Sequence, residues 1–192
     1  ETGYKGALLG CLEMIRTGTT TFMDMYFFME DVARAVLEAG IRGIMSYAMI
    51  DIFDREVAAK REATAERLLN YVQALQNPRI GFAVGPHSPY TCSRETLLKS
   101  RELAEKSCAP IHIHIAETRR EQVEFEKKFG RREVEYLDDI GFLCPSVVSV
   151  HSVWLTKREV DMLAKRGVKV SHCPISNMKL ADGGVAPLPE ML

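Results

Sequence analysis

The chain has 192 residues, and its 25 Lys and Arg nearly balance its 26 Asp and Glu, so it carries neither a basic footprint for nucleic acid nor a polybasic surface for a membrane. That length fits one domain able to bury a sizeable core. No apolar run approaches the roughly 20 residues that span a bilayer, and the first residues lack the basic-then-apolar pattern of a signal peptide. A small-molecule partner and a cytoplasmic location are the expectations.

In chain order, a helix over residues 2–16 is followed by short apolar, β-branched runs alternating with longer amphipathic segments. Strands are expected at 20–25, 41–47, 80–85, 111–116, 147–151 and 168–172. Between them, helices are expected at 31–39, 56–76, 93–106, 119–139 with an interruption near Gly130, and 156–166. This alternation predicts an α/β fold, a parallel sheet with crossover helices. Ser93 with Glu95, and Thr156 with Glu159, mark helix starts. Gly40 and Gly167 suit helix ends, where positive φ is wanted. The five cysteines, Cys11, Cys92, Cys108, Cys144 and Cys173, are odd in number and never spaced Cys-x-x-Cys, which argues for reduced thiols over a disulfide framework or a thiolate metal site.

The run Ile111-His112-Ile113-His114-Ile115-Ala116-Glu117-Thr118 brings two imidazoles and a carboxylate to the end of an apolar strand. Alternation puts His112 and His114 on one face, with Glu117 just beyond. Neutral imidazole is a common metal ligand, and a nearby carboxylate can move the protons of a metal-activated water. In a parallel sheet all strand carboxyl ends share one rim. Asp24, His87, His114, Glu117, His151 and His172 all fall at such ends, which points to a shared site more than to scattered core histidines.

Five segments in this order carry a resemblance: 17–26 (TGTTTFMDMY), 85–93 (GPHSPYTCS), 112–118 (HIHIAET), Val150-His151 and 171–186 (SHCPISNMKLADGGVA). They span nearly the whole chain, which resembles the amidohydrolase superfamily. The likeness is to its branch of 5'-methylthioadenosine and S-adenosylhomocysteine deaminases, with guanine deaminases and triazine chlorohydrolases as relatives. The resemblance implies a (β/α)8 TIM-type barrel binding one divalent metal, zinc or iron, and hydrolytic release of ammonia from an adenosine-type nucleoside. It makes His114 the metal ligand of strand five, Glu117 the general acid/base, and His151 the histidine that orients the attacking hydroxide. His87 is then the histidine that meets the purine ring. His112 becomes an inward packing residue, and Ser176 and Asn177 contribute hydrogen bonds at the substrate rim.

Counted against that family, residues 1–192 are one partial barrel domain, strands two to seven, truncated at both ends. Of the expected metal ligands only His114 is then present, so the isolated chain is expected to be inactive while the longer protein is an enzyme. Unpaired edges near Thr20 and Val168 are expected to drive self-association, giving a homo-oligomer. Tyr47 and Ala48 stand where the resemblance would place an arginine for an amino-acid carboxylate. Arg61 is the remaining candidate for substrate binding there, so 5'-methylthioadenosine or 5'-deoxyadenosine is as reasonable a substrate as S-adenosylhomocysteine. Two alternatives stay open: a chlorohydrolase or guanine or cytosine deaminase on the same fold, and a non-catalytic interaction module built on a degenerate barrel.

Overall fold

The expected alternation of strand and helix is realised in a computed structural model describing residues 1–192. The elements are α1 (Thr2–Arg16), β1 (Thr21–Tyr26), α2 (Met29–Ala39), β2 (Arg42–Tyr47), α3 (Arg55–Leu75), β3 (Ile80–Ala83), α4 (Arg94–Ser107), β4 (Ile111–Ile115), α5 (Arg119–Phe129), α6 (Glu133–Asp139), β5 (Val147–His151), α7 (Lys157–Lys165), β6 (Lys169–Ser171), α8 (Pro174–Leu180) and α9 (Leu188–Met191).

All paired strands are parallel and stand in chain order, as β1-β2-β3 and β4-β5-β6. The two sheets meet where Val84 bridges Ile111, with Val84 N donating to Pro110 O at 2.9 Å and His112 N to Val84 O at 2.8 Å. The structure is therefore an open arc of two three-stranded sheets joined at that bridge, in keeping with the expected partial barrel. The break has a local cause: Pro86 has no N–H to give to a ladder. Gly85 beside it packs so closely that a Cβ there would stand 2.6 Å from Tyr47 O. β3 ends at Ala83 instead of reaching residue 85, and pairing resumes in a single bridge between Met49 and Pro86.

Ile111, Ile113 and Ile115 are wholly buried in the core cluster with Leu97 of α4 and Val134 and Leu137 of α6. Burial of each such side chain is worth about 1.5–3 kcal/mol over leaving it exposed. The opposite face of β4 carries His112 and His114, and His112 meets Ser46 of β2 across the interior. β1 and β6 each pair on one side only and are the least buried strands. No helix is long and apolar enough to cross a membrane.

The caps follow the sequence closely. Ser93 Oγ accepts from Thr96 N, Thr156 and Glu159 form a capping box, and Gly40 is left-handed at the end of α2. The helix expected over 119–139 is two helices, separated at Gly130 with φ 70°. Two helices were unanticipated, α8 and α9. Ile175, Met178 and Leu180 of α8 are mostly exposed, so its apolar residues trace no buried stripe, although Pro174 at its first turn is a start signal.

Gly85→Ala is expected to lower stability by about 1–3 kcal/mol, because the clash is with backbone that cannot swing aside. Urea unfolding of the variant and the parent chain measures this, and an unchanged midpoint would contradict the account of the β3 break.

Candidate active site at the carboxyl ends of the strands

One loop and two strands bring four imidazoles together: His87 follows β3, His112 and His114 lie in β4, and His151 ends β5. The ring of His114 lies 4.9 Å from that of His87, 5.5 Å from His112 and 5.3 Å from His151, centroid to centroid. Parity alone would not put His151 there. In the β4–β5 register it is opposite Ile115, which points to the helices, whereas His114 is opposite Val150. The backbone of His151 turns left-handed, φ 71°, followed by Ser152 at 51°, and this breaks the alternation. Ala116 does the same after β4, with φ 53°. Non-glycine residues held in that region cost on the order of 1–3 kcal/mol and gather at functional sites.

Hydrogen bonds fix which nitrogens carry protons. His114 Nδ1 stands 2.8 Å from His87 O, and a carbonyl only accepts, so Nδ1 bears the proton and Nε2 keeps its lone pair. Ser46 Oγ gives its hydrogen to Asp24 O at 2.7 Å and therefore accepts from His112 Nδ1 at 3.1 Å. Asp24 thus enters the rim through its backbone carbonyl. His87 Nδ1 is held by Thr91 Oγ1 at 2.9 Å and Ser88 Oγ at 3.2 Å. Burial, then the neighbouring imidazoles, lower His87 to about 4 and His112 to about 3. Burial likewise lowers His114 and His151. The cluster is therefore neutral at ordinary pH.

Glu117 Oε1 lies 3.3 Å from His151 Nε2. Burial raises its carboxyl above the ordinary value, opposed by His114 and assisted by Asp182. Its backbone is held by two acids: Glu121 Oε1 accepts from Glu117 N at 2.6 Å, and Glu133 Oε2 accepts from Ala116 N at 2.8 Å. Neither acid was singled out from the sequence, although Glu121, three residues after Thr118, is a capping-box signal. An open cleft of about 510 Å³ beside Glu117 is lined by Tyr90, Glu121, Leu180 and Asp182, among others.

For a metal, the donor set is incomplete. His114 Nε2 is free and its ring is oriented from behind, as a ligand requires, yet no three His, Cys, Asp or Glu side chains converge as an ion site. Fewer than three such donors converge, so the side chains of this chain do not by themselves complete an ion site.

Of the residues expected at the site, His87, His114, Glu117, His151 and Asn177 are brought together. Asn177 is 7% exposed, with its amide nitrogen 3.1 Å from His151 Nδ1 rather than facing the open rim. Ser176 is exposed on α8, outside the imidazole cluster. Arg61 on α3 donates to Tyr47 Oη at 2.6 Å and lies over Phe27.

The model of the amidohydrolase family matches residues 1–192. The chain is 51% identical over 189 residues to a Methanothermobacter thermautotrophicus protein named 5'-deoxyadenosine deaminase, a match covering 98% of this chain and 44% of that protein. It is 49% identical over 180 residues to a Thermococcus sibiricus protein named 5-methylthioadenosine/S-adenosylhomocysteine deaminase, covering 94% of this chain and 42% of that one. Among solved structures, an adenosine deaminase from Xanthomonas campestris with bound zinc has a TM-score of 0.87 at 32% identity, covering 98% of this chain and 43% of that chain. The chain spans less than half the length of the relatives it matches. With parallel strands in chain order, the match makes the fold one of TIM-barrel type, here open.

Glu121 generates a pH prediction. Burial raises its carboxyl from 4.5 to about 7, assisted by the charge of Glu117 and opposed by the hydrogen bonds it accepts from Glu117 and Thr118. The native state then keeps a proton that the unfolded chain releases, so this stabilisation is complete below pH 4.5 and is lost as pH rises through about 7. Glu121→Gln, which can still accept from Glu117 N, is expected to flatten the fall of the urea midpoint across that window. An equal slope in both proteins would refute the assignment.

Proposed function

The chain belongs to the amidohydrolase family, and on that premise we propose that it carries the proton-handling part of a metal-dependent hydrolytic deaminase acting on an adenosine-type nucleoside. One observation supports this above others: Glu117 and His151 stand 3.3 Å apart beside the free Nε2 of His114. A divalent metal, zinc by preference and iron as the alternative, would supply a water of lowered pKa at that rim, with His114 Nε2 as one of its ligands. Glu117 would take one proton of the attacking water and give it to the ring nitrogen of the purine as the C–O bond forms, then carry the remaining O–H proton to the exocyclic amine, so that the C–N bond breaks and ammonia leaves as the carbonyl forms. His151 donates Nε2–H toward Glu117 and the developing charge. His87, with Tyr90 set edge-on at 6.1 Å, meets the purine ring.

The substrate follows from Arg61. One guanidinium nitrogen donates to Tyr47 Oη and the group lies near the Phe27 and Tyr47 rings, while its Nε is buried without a hydrogen-bond partner, so the cation is packed against aromatic rings. A neutral 5' substituent suits that corner better than an amino acid, which favours 5'-deoxyadenosine or 5'-methylthioadenosine. Ser176 is left to hydrogen-bond the substrate at the rim.

In the whole protein loaded with zinc, loss of the adenine absorbance band should be faster for these two nucleosides than for S-adenosylhomocysteine, and Glu117→Gln should lower kcat by about 10²–10⁴-fold. The isolated chain with added zinc should be inactive, since it supplies one ligand. Unaffected turnover in Glu117→Gln, or full activity of the isolated chain, would overturn these roles. We further propose self-association through the one-sided strands β1 and β6. Sedimentation equilibrium of the chain should show dimers or larger species, and a clean monomer would contradict it.

A further inference from the structure

We propose that Asn177 and Asp182 are positioning residues that hold the His151 ring in the tautomer with its proton on Nε2, facing Glu117. The use of that tautomer in catalysis rests on the deaminase reading above; the tautomer itself does not.

The inference starts from Asp182. Asn177 Nδ2 lies 2.8 Å from Asp182 Oδ2. A carboxylate only accepts, so the group facing it is the amide NH₂; turned over, the amide would set its oxygen against another acceptor. The second N–H of the same group then points at His151 Nδ1, 3.1 Å away. Nδ1 must accept, and a neutral imidazole has a single N–H, which therefore sits on Nε2. That nitrogen is the one 3.3 Å from Glu117 Oε1. The chain of contacts runs from Asp182 through the Asn177 amide and the imidazole to Glu117.

The surroundings hold this chain of contacts in place. Asp182 N donates to Asn177 O at 3.1 Å, and Trp154 Nε1 donates to Asp182 O at 3.2 Å. Gly184 is packed so tightly that a Cβ would come within 2.6 Å of Val153 and 2.7 Å of the Trp154 ring, which seats the segment after α8 on the strand-end turn. Asn177 Oδ1 is buried with no hydrogen-bond partner, so it is through its nitrogen that the amide is bound.

The chemistry differs from that of a histidine backed by a carboxylate, where the acid accepts from Nδ1–H and favours the imidazolium. Here an N–H faces Nδ1, so the single proton of the neutral ring sits on Nε2 and the ring is a donor toward Glu117. His151 can orient Glu117 and give a hydrogen bond to the reacting oxygen without storing the proton itself.

The test reads the tautomer directly, without substrate or metal, in proton–nitrogen correlation spectra of the imidazoles of this chain labelled at histidine, with His151 assigned by His151→Gln. The unmutated chain should show His151 protonated at Nε2. Asn177→Asp gives Nδ1 an acceptor and should move the tautomer ratio toward Nδ1–H by about tenfold or more. Asp182→Asn removes the anchor that fixes the amide and should move the ratio the same way to a lesser degree; it carries the test if Asn177→Asp does not fold. Unchanged spectra of His87, His112, His114 and His172 show that a variant is folded. Protonation of His151 at Nδ1 in the unmutated chain, or an unmoved ratio in folded variants, would overturn the proposal. A confirmed tautomer in a whole protein that deaminates no nucleoside would defeat the deaminase reading and leave this one standing.

Discussion

Ala116 and His151 leave neighbouring strands with left-handed backbone, and the hydrogen bonds that hold those two turns organise everything above them. Ser152 N donates to Ile115 O, while Val153 N and Trp154 N both donate to Ala116 O. From behind, the Glu133 carboxylate takes the N–H of Ala116. Once the turns are fixed, Glu117 and His151 meet, the segment after α8 docks on Trp154, and Asn177 reaches Nδ1. Relaxing the turn at His151 to ordinary strand geometry would send its ring toward the helices, with Ile115.

Electrostatics divides the rim into two zones. In front are imidazoles whose pKa values burial lowers, so that neutral rings stand beside the Glu117 carboxyl. Behind the rim are Glu121 and Glu133, raised by burial and, for Glu133, by the neighbouring Glu121 charge. Arg132 pairs with the buried Glu159 at 2.8 Å in the same layer and donates to Trp154 O, tying α6 to the turn that follows β5.

Much of this was legible from residues alone. The β4 run could be read because isoleucines alternate with histidines, a period only a strand explains, and burial bears the pattern out at Ile111, Ile113 and Ile115. Helix ends at Ser93, Thr156, Gly40 and Gly130 were readable because capping is a local exchange between a side chain and the nearest free backbone groups. α8 was not, since its apolar residues face outward. Asp182, Ser46 and Glu133 gave no signal either: each matters through one partner far along the chain or at a turn whose geometry no local pattern encodes.

The sequence by itself determined the six strands and the helices between them, which residue types reach the strand ends, and the amidohydrolase likeness, because periodicity, caps and motif order are properties of neighbours along the chain. The tertiary structure alone decided that His151 breaks strand parity, that Asn177 turns inward to a nitrogen of His151, that Arg61 donates to Tyr47, and that the six strands form an open arc. Those outcomes depend on φ at single residues and on hydrogen bonds between positions 26 and 14 residues apart, as from Asn177 to His151 and from Arg61 to Tyr47. Such contacts exist only after the strands have packed.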